Sequence, residues 1–246
     1  MEGKNAEETK KLIEFYDAYV PQQRTSGIND RIFGLYKRLL KAGLNKDSHV
    51  LELGCGIGAM TWLLARTVKK GVVEAVDISQ ESINFARRRI AQPNVELTAQ
   101  DILNYVPKNR KFDFITLFDL IEHVPVDSHP ALFKNIASWA DEETIILINI
   151  PNPEYIAYDI KTQSPFLQVI DQPIPLKQIL DTLTASGLNL FFFESYSVWV
   201  EWDYQFFVIR KTKEFREITL SSKRNFLSKA KKKLEREFVK LKYPYR

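Results

Sequence analysis

Three glycines at alternate positions, Gly54, Gly56 and Gly58, follow directly on the apolar run Val50-Leu51-Glu52-Leu53. Glycine tolerates positive φ and carries no Cβ, so a strand that enters such a turn and then a helix lets a nucleotide-like ligand approach the backbone closely. Asp77 lies 25 residues after Glu52 and closes the next apolar run, where a carboxylate can accept both hydroxyls of a ribose. Asp101, in Gln100-Asp101-Ile102, closes the third, within reach of an exocyclic adenine amine. Each feature alone reads equally well as a tight turn, a helix cap or a solvated carboxylate. At this spacing on consecutive strands they converge on one adenosine-containing ligand, and a ribose carboxylate by itself does not separate S-adenosylmethionine (SAM) from NAD.

Three strand ends meet one ligand only if the strands are parallel, and the chain has that rhythm. Apolar or β-branched runs at His49–Leu53, Val72–Val76, Val95–Thr98, Phe112–Leu117 and Thr144–Ile150 alternate with helical patterns at Met60–Lys69, Gln80–Ile90 and Pro130–Ala140. Helical spacing also marks Ala6–Tyr19 and Asn29–Ala42, the second with Asn29 or Asp30 as its cap. After Pro151 a segment rich in proline and aromatics reads as a loop or insertion up to Pro175. A helix at Pro175–Ser186 then stops at Gly187, and strands at Leu188–Glu194 and Tyr204–Arg210 follow with no helix between them. A hairpin turning through Trp199–Asp203 is expected to end the sheet. The fold class is therefore α/β, in three layers.

The segments Glu52-Leu53-Gly54-Cys55-Gly56-Ile57-Gly58, Val76-Asp77-Ile78-Ser79 and Asp101-Ile102 resemble the first three motifs of the class I SAM-dependent methyltransferases, over roughly residues 45–210. That resemblance implies a Rossmann-like seven-stranded sheet of order 3-2-1-4-5-7-6, with the seventh strand antiparallel. It also implies SAM as cofactor. Glu52 would orient the loop of Gly54, Cys55, Gly56 and Gly58 and approach the methionine end, Asp77 with Ile78 would take the ribose, and Asp101 with Ile102 the adenine. A dehydrogenase would prefer G-x-G-x-x-G and a separate substrate domain; this chain reads G-x-G-x-G and has no room for one.

The run Phe112–Val124 resembles the family's fourth motif, which implies that Phe118 and Asp119 pass beneath the sulfonium. Methyl transfer is an in-line displacement on an activated carbon, so the enzyme aligns the nucleophile and, for a hydroxyl, removes a proton. His123 is the nearby residue whose ordinary pKa suits that task; a structural or SAM-contacting role is the competing reading. Asp119, Glu122 and His123 are also similar to the start of a metal site in small-RNA 2′-O-methyltransferases, and Asn149–Pro153 loosely echoes its next segment. No histidine follows His129, so a complete His-containing site of that type is missing and no metal ligand is assigned, while a cation held through carboxylates stays open. Quinone-precursor O-methyltransferases share a similar Glu-His motif. Members of the class often carry an N-terminal lid, which implies Tyr16, Tyr19 and Arg24 here, with Arg24 pairing the donor carboxylate. Tyr155, Tyr158, Phe166, Trp199 and Trp202 are candidates for the acceptor wall, or else pack the sheet end or a dimer contact.

Composition frames these readings. The chain has 246 residues, 45% of them hydrophobic, enough for one domain with appendages. It contains no 18-residue apolar run, and its first twenty residues are too charged for a secretory signal, so a soluble cytoplasmic protein is expected. Cys55 is the single cysteine, which excludes an internal disulfide or a thiolate metal cluster. Net charge is +4, but residues 211–246 carry 13 Lys or Arg against 4 acidic residues, leaving 1–210 at −5. An acidic body makes nucleic acid an unexpected partner. In Phe226–Leu241, Phe226, Leu227, Ala230, Leu234, Phe238 and Leu241 share one helical face among lysines. Such a helix suits an anionic membrane surface, a lipid-linked substrate, RNA, or packing on its own domain or a second subunit.

The expected organisation is a helical lid at 1–44, a SAM-binding domain at 45–210 and a basic extension at 211–246. The expected function is methyl transfer to a small-molecule acceptor, first a hydroxyl of a sugar, phenol or other metabolite. An RNA or protein methyltransferase recruited through the tail, or a SAM-binding scaffold without turnover, are the alternatives. The sequence sets no oligomeric state.

Overall fold

The computed structural model of the chain describes residues 2–109, 111–214, 217 and 226–242. In chain order its elements are α1 (Glu2–Ser26), α2 (Asp30–Ala42), β1 (Val50–Leu53), α3 (Ala59–Thr67), β2 (Val73–Asp77), α4 (Gln80–Arg89), β3 (Val95–Ala99), β4 (Phe114–Phe118), α5 (His129–Trp139), β5 (Ile145–Pro151), α6 (Pro153–Thr162), α7 (Leu176–Ala185), β6 (Leu188–Tyr196), β7 (Tyr204–Lys211) and α8 (Phe226–Lys242). All four residues of β1 are buried, as a central strand covered on both faces requires. The sheet runs β3-β2-β1-β4-β5-β7-β6. β1 to β5 are parallel, and β7 is antiparallel to both its neighbours.

Strand side chains alternate between faces, and the core divides accordingly. Leu51, Leu53, Ile115, Leu117 and Ile148 pack with Leu132, Phe133 and Ile136 of α5 and Ile179 and Leu183 of α7. Their chain neighbours Val50, Phe114 and Leu147 turn the other way, onto Leu35 and Leu39 of α2 and Met60, Leu63 and Leu64 of α3. Continuous apolar runs thus bind helices on both sides and leave only the strand ends open to chemistry.

Two elements differ from expectation. α1 continues to Ser26 through Pro21. It is tied down by Asp17, whose Oδ1 accepts from the Ser79 hydroxyl (2.5 Å) and the Glu81 N–H (3.1 Å) at the start of α4. The segment after Pro151 is not all loop: the Asn152 side chain accepts from Glu154 N–H at 3.1 Å and Pro153 occupies the first turn, so α6 begins there.

The chain divides into two compact units, Met1–Thr212 and Lys213–Arg246, so the N-terminal helices belong with the sheet. Among the described residues no helix is long and apolar enough to cross a membrane. In the first unit Lys69, Lys70 and Gly71 all donate to the Lys46 carbonyl, drawing the turn before β2 against the one before β1. A Cβ on Gly71 would lie 1.8 Å from the Ser48 carbonyl oxygen. Gly71→Ala is expected to cost about 2–3 kcal/mol of folding free energy, read from denaturant midpoints; an unchanged midpoint would show that this junction is pliable.

Candidate functional site

The carboxyl ends of β1 to β4 open into a cavity of about 1740 Å³. That is larger than one cofactor-sized ligand needs. Glu52, Gly54, Cys55 and Gly56 line it from β1 and its loop, Asp77 with Ile78 from β2, and Asp101 with Ile102 from β3. Asp77 grips the glycine loop, accepting from Gly56 N–H (2.7 Å) on one oxygen and from Ser79 N–H (2.9 Å) on the other. Burial raises its pKa, while these backbone donors favour the charged form. Each oxygen retains a lone pair for a further donor. Asp101 likewise accepts from Leu103 N–H (2.9 Å) on one oxygen and from the Asn104 amide (3.3 Å) on the other, and each keeps a lone pair for a further donor. Glu52 is buried and takes the Thr61 hydroxyl at 2.7 Å. It therefore pins α3 to β1, and burial, against that bond, pushes its pKa up to about 8.

Gly54 and Gly56 both have positive φ. A Cβ on Gly56 would crowd Gln23 of α1 at 3.2 Å, so the lid helix closes on the loop itself. Gly58 is a correction: it does not line the cavity. It starts α3 at φ +80°, and a Cβ there would sit 2.9 Å from the Ala86 Cβ. Its role is packing between α3 and α4.

Arg24 is the second correction. It is absent from the cavity wall, and its guanidinium lies over the Phe85 ring, 5.2 Å from the centroid. The lining cation is Arg31, with Nε 3.2 Å from Asp119 Oδ2 and Nη1 donating to the Tyr204 hydroxyl at 2.7 Å. Burial opposes its charge, but Asp119 and Tyr204 hold it. Asp119, at φ +52°, also accepts from the Asn149 amide at 3.0 Å. The signal for Arg31 was its place: a cation in the first turn of α2 opposes the helix dipole and so needs a partner elsewhere.

Phe118, Asp119, Glu122 and His123 all reach the cavity. His123 Nδ1 is 2.6 Å from the Ile170 carbonyl and 3.1 Å from Asp171 Oδ1, and its Nε2 is 3.9 Å from Glu122 Oε1. Burial would lower its pKa, but Glu122 and Asp171 outweigh this and push it up to about 9. Glu122, whose own pKa burial pushes up to about 8, and Asp171 thus favour the protonated ring. Asp171, Glu122 and Gln23 were not among the expected site residues; the first lies in the segment read as loop, where spacing gives no direction. Among the described residues no group of side chains suits a metal ion.

Tyr16 and Tyr19 of α1 and Tyr155, Phe166 and Trp199 wall the remaining volume. Tyr158 and Trp202 do not; both side chains are mostly exposed. Asn152 fixes only the Trp202 carbonyl, leaving the indole outside.

A seven-stranded sheet of this order, with its ligand-sized opening at the parallel strand ends, defines a Rossmann-like fold of the class I methyltransferase kind. Residues 50–142 match the model of a methyltransferase domain family. It is 31% identical over 115 residues to the ubiquinone biosynthesis O-methyltransferase of Coxiella burnetii, covering 46% of this chain and 47% of that one. To (S)-coclaurine N-methyltransferase of Papaver somniferum it is 26% identical over 166 residues, covering 66% and 46%. The chain thus spans about half the length of these curated relatives. The crystal structure of magnesium protoporphyrin IX methyltransferase from Synechocystis, with bound S-adenosylhomocysteine, shares the fold at TM-score 0.66 and 15% identity, covering 83% of this chain and 99% of that one.

The His123 pKa makes a stability prediction. Its folded value lies above the unfolded value near 6.5, so its contribution is complete below pH 6.5 and lost as pH rises through 9. The stability advantage of wild type over His123→Gln is expected to be on the order of 2 kcal/mol at pH 6 and to vanish by about pH 10. A pH-independent difference in paired denaturation curves would contradict this.

Proposed function

We propose that this protein is a SAM-dependent methyltransferase acting on a small molecule, with a hydroxyl on a ring or other apolar frame as its first acceptor class. The observation that carries the reading is the convergence of Glu52, Asp77 and Asp101, from three successive strands, on one cavity with the loop of Gly54 and Gly56. These residues fit SAM: Asp77 and Asp101 keep acceptor capacity for a ribose and an adenine amine, and Gly54 and Gly56 line the cavity without side chains. When bound, SAM supplies an electrophilic methyl group. The chain's own residues hold the ribose at Asp77 and the adenine at Asp101 beside Ile102. The aromatic wall of Tyr19, Tyr155 and Trp199 takes the acceptor and excludes water.

The names of the relatives support the small-molecule class, since they include a ubiquinone-pathway O-methyltransferase and an alkaloid N-methyltransferase. Titrating SAM, S-adenosylhomocysteine and NAD calorimetrically into wild type and Asp77→Ala tests the donor. Both sulfur ligands should bind wild type and lose about 100-fold in the variant, the worth of one or two charge-assisted hydrogen bonds. Binding of NAD alone would overturn the reading, and SAM binding without transfer to any extract acceptor would turn it into a scaffold.

For the second unit the partner we infer is an anionic lipid surface, which would make the protein cytoplasmic and peripheral to a membrane. In α8, Leu234, Phe238 and Leu241 follow at helical spacing and are 71%, 65% and 83% exposed, with Lys231, Lys232, Lys233 and Arg236 on the same helix. RNA would draw on the charge alone, whereas lipid also uses the apolar residues. The full chain should co-sediment with vesicles containing phosphatidylglycerol, and Leu234→Glu with Phe238→Glu should abolish this. Persistent binding by the double variant, or none by wild type, would refute the assignment.

A further inference from the structure

The acceptor side of the cavity holds one carboxylate whose hydrogen-bonding capacity the protein leaves unused. Glu122 is 1% exposed and lines the cavity, yet neither of its oxygens receives a hydrogen bond from another residue. Its nearest cation, His123, stands at 3.9 Å and has turned Nδ1 to Ile170 and Asp171. The other buried cation, Arg31, is committed to Asp119 and Tyr204. The Tyr16 hydroxyl, on the lid and beside the His123 ring, is also buried without a partner. Buried carboxylates elsewhere in this molecule are satisfied: Glu52 has Thr61, and Glu74 takes the Tyr105 hydroxyl and the Lys108 and Asn109 N–H groups. A buried carboxylate facing a ligand cavity without donors is costly unless the ligand brings them.

We propose that Glu122, with the Tyr16 hydroxyl, is the specificity determinant for the methyl acceptor, and that the acceptor presents a hydrogen-bond donor there, a neutral hydroxyl or a protonated amine on a ring. The inference rests on the methyl-transfer reading above for the identity of this wall as the acceptor side. Acceptors whose reacting group is a carboxylate are excluded. Such a group would share the cavity with Glu122, Asp171 and Asp159, and the buried cations that line it are already paired, Arg31 with Asp119 and His123 with Asp171. The site discriminates strongly because an acceptor lacking the donor leaves Glu122 unpaired. The rings of Tyr16, Tyr19, Tyr155 and Phe166 around the cavity suit the flat frame that would carry the donor.

The test uses three probes with one ring and one variable group, benzyl alcohol, benzylamine and benzoate, titrated by ligand-observed NMR into the full chain loaded with S-adenosylhomocysteine. Wild type should bind the alcohol and the amine at least about tenfold more tightly than benzoate, and Glu122→Gln should shrink the gap between amine and benzoate below about threefold. Glu122→Asp, which keeps the charge, should restore the order. Benzoate binding as well as the other two, no binding by any probe, or a preference unchanged in Glu122→Gln would each overturn the assignment. The wild-type ranking decides the substrate class even if Glu122→Gln does not fold. Failure of S-adenosylhomocysteine to bind would instead count against the methyl-transfer reading, and the same ranking on the ligand-free protein would still decide whether Glu122 selects donors.

Discussion

The bond from Gly56 N–H to the Asp77 carboxylate is the interaction on which the rest of the site depends. A buried carboxylate is tolerated only where donors converge on it, and this one draws its donors from the backbone of two neighbouring turns. The loop after β1 is thereby held against the end of β2, and the positive φ at Gly54 and Gly56 follows from that path. The same constraint recurs around the cavity with different solutions. Glu52 takes a hydroxyl from α3, and Asp119 takes a guanidinium from α2 and an amide from β5. Each solution fastens a helix or strand to the strand end that bears the carboxylate, so satisfying the charges and shaping the cavity are one process.

Most elements were legible because the sheet's strands alternate in which core they serve, which writes apolar runs into the sequence, whereas the strand order followed from the resemblance carried by the glycine loop and the carboxylate motifs. Asp77 and Asp101 were legible as cavity carboxylates for a related reason, since each follows directly on such a run. What was not legible depended on direction. Arg24 and Arg31 both lie near the lid, and only packing shows that Arg24 turns to Phe85 while Arg31 turns inward to Asp119. Gly58 has the same spacing as Gly54 and Gly56 but serves the contact with Ala86. α6 was masked by its proline, although Asn152-Pro153 is a sound helix start.

His123 shows why an ordinary pKa is a poor guide once a residue is buried. Two carboxylates outweigh the loss of water and favour the protonated ring. Asp171, which contributes to this, reaches the ring from a segment 47 or more residues further along, where Ile170 and Gln172 also bond to His123 and to the Glu122 carbonyl. The loop before α7 is thus stitched onto the turn after β4, and it brings an acidic group to the side opposite the adenosine carboxylates.

Ser79 joins the lid to the ligand-facing carboxylate. Its N–H donates to Asp77 and its hydroxyl donates to Asp17 of α1, while the same oxygen accepts from Ser82 N–H in the first turn of α4. Asp17 in turn contributes to the raised pKa of Asp77. A shift of α1 that broke the contact to Ser79 would therefore change both the donors and the field at Asp77. One hydrogen-bonded chain thus couples α1 to the Asp77 carboxylate, and the proline inside α1 does not interrupt it because the tie lies a turn earlier, at Asp17.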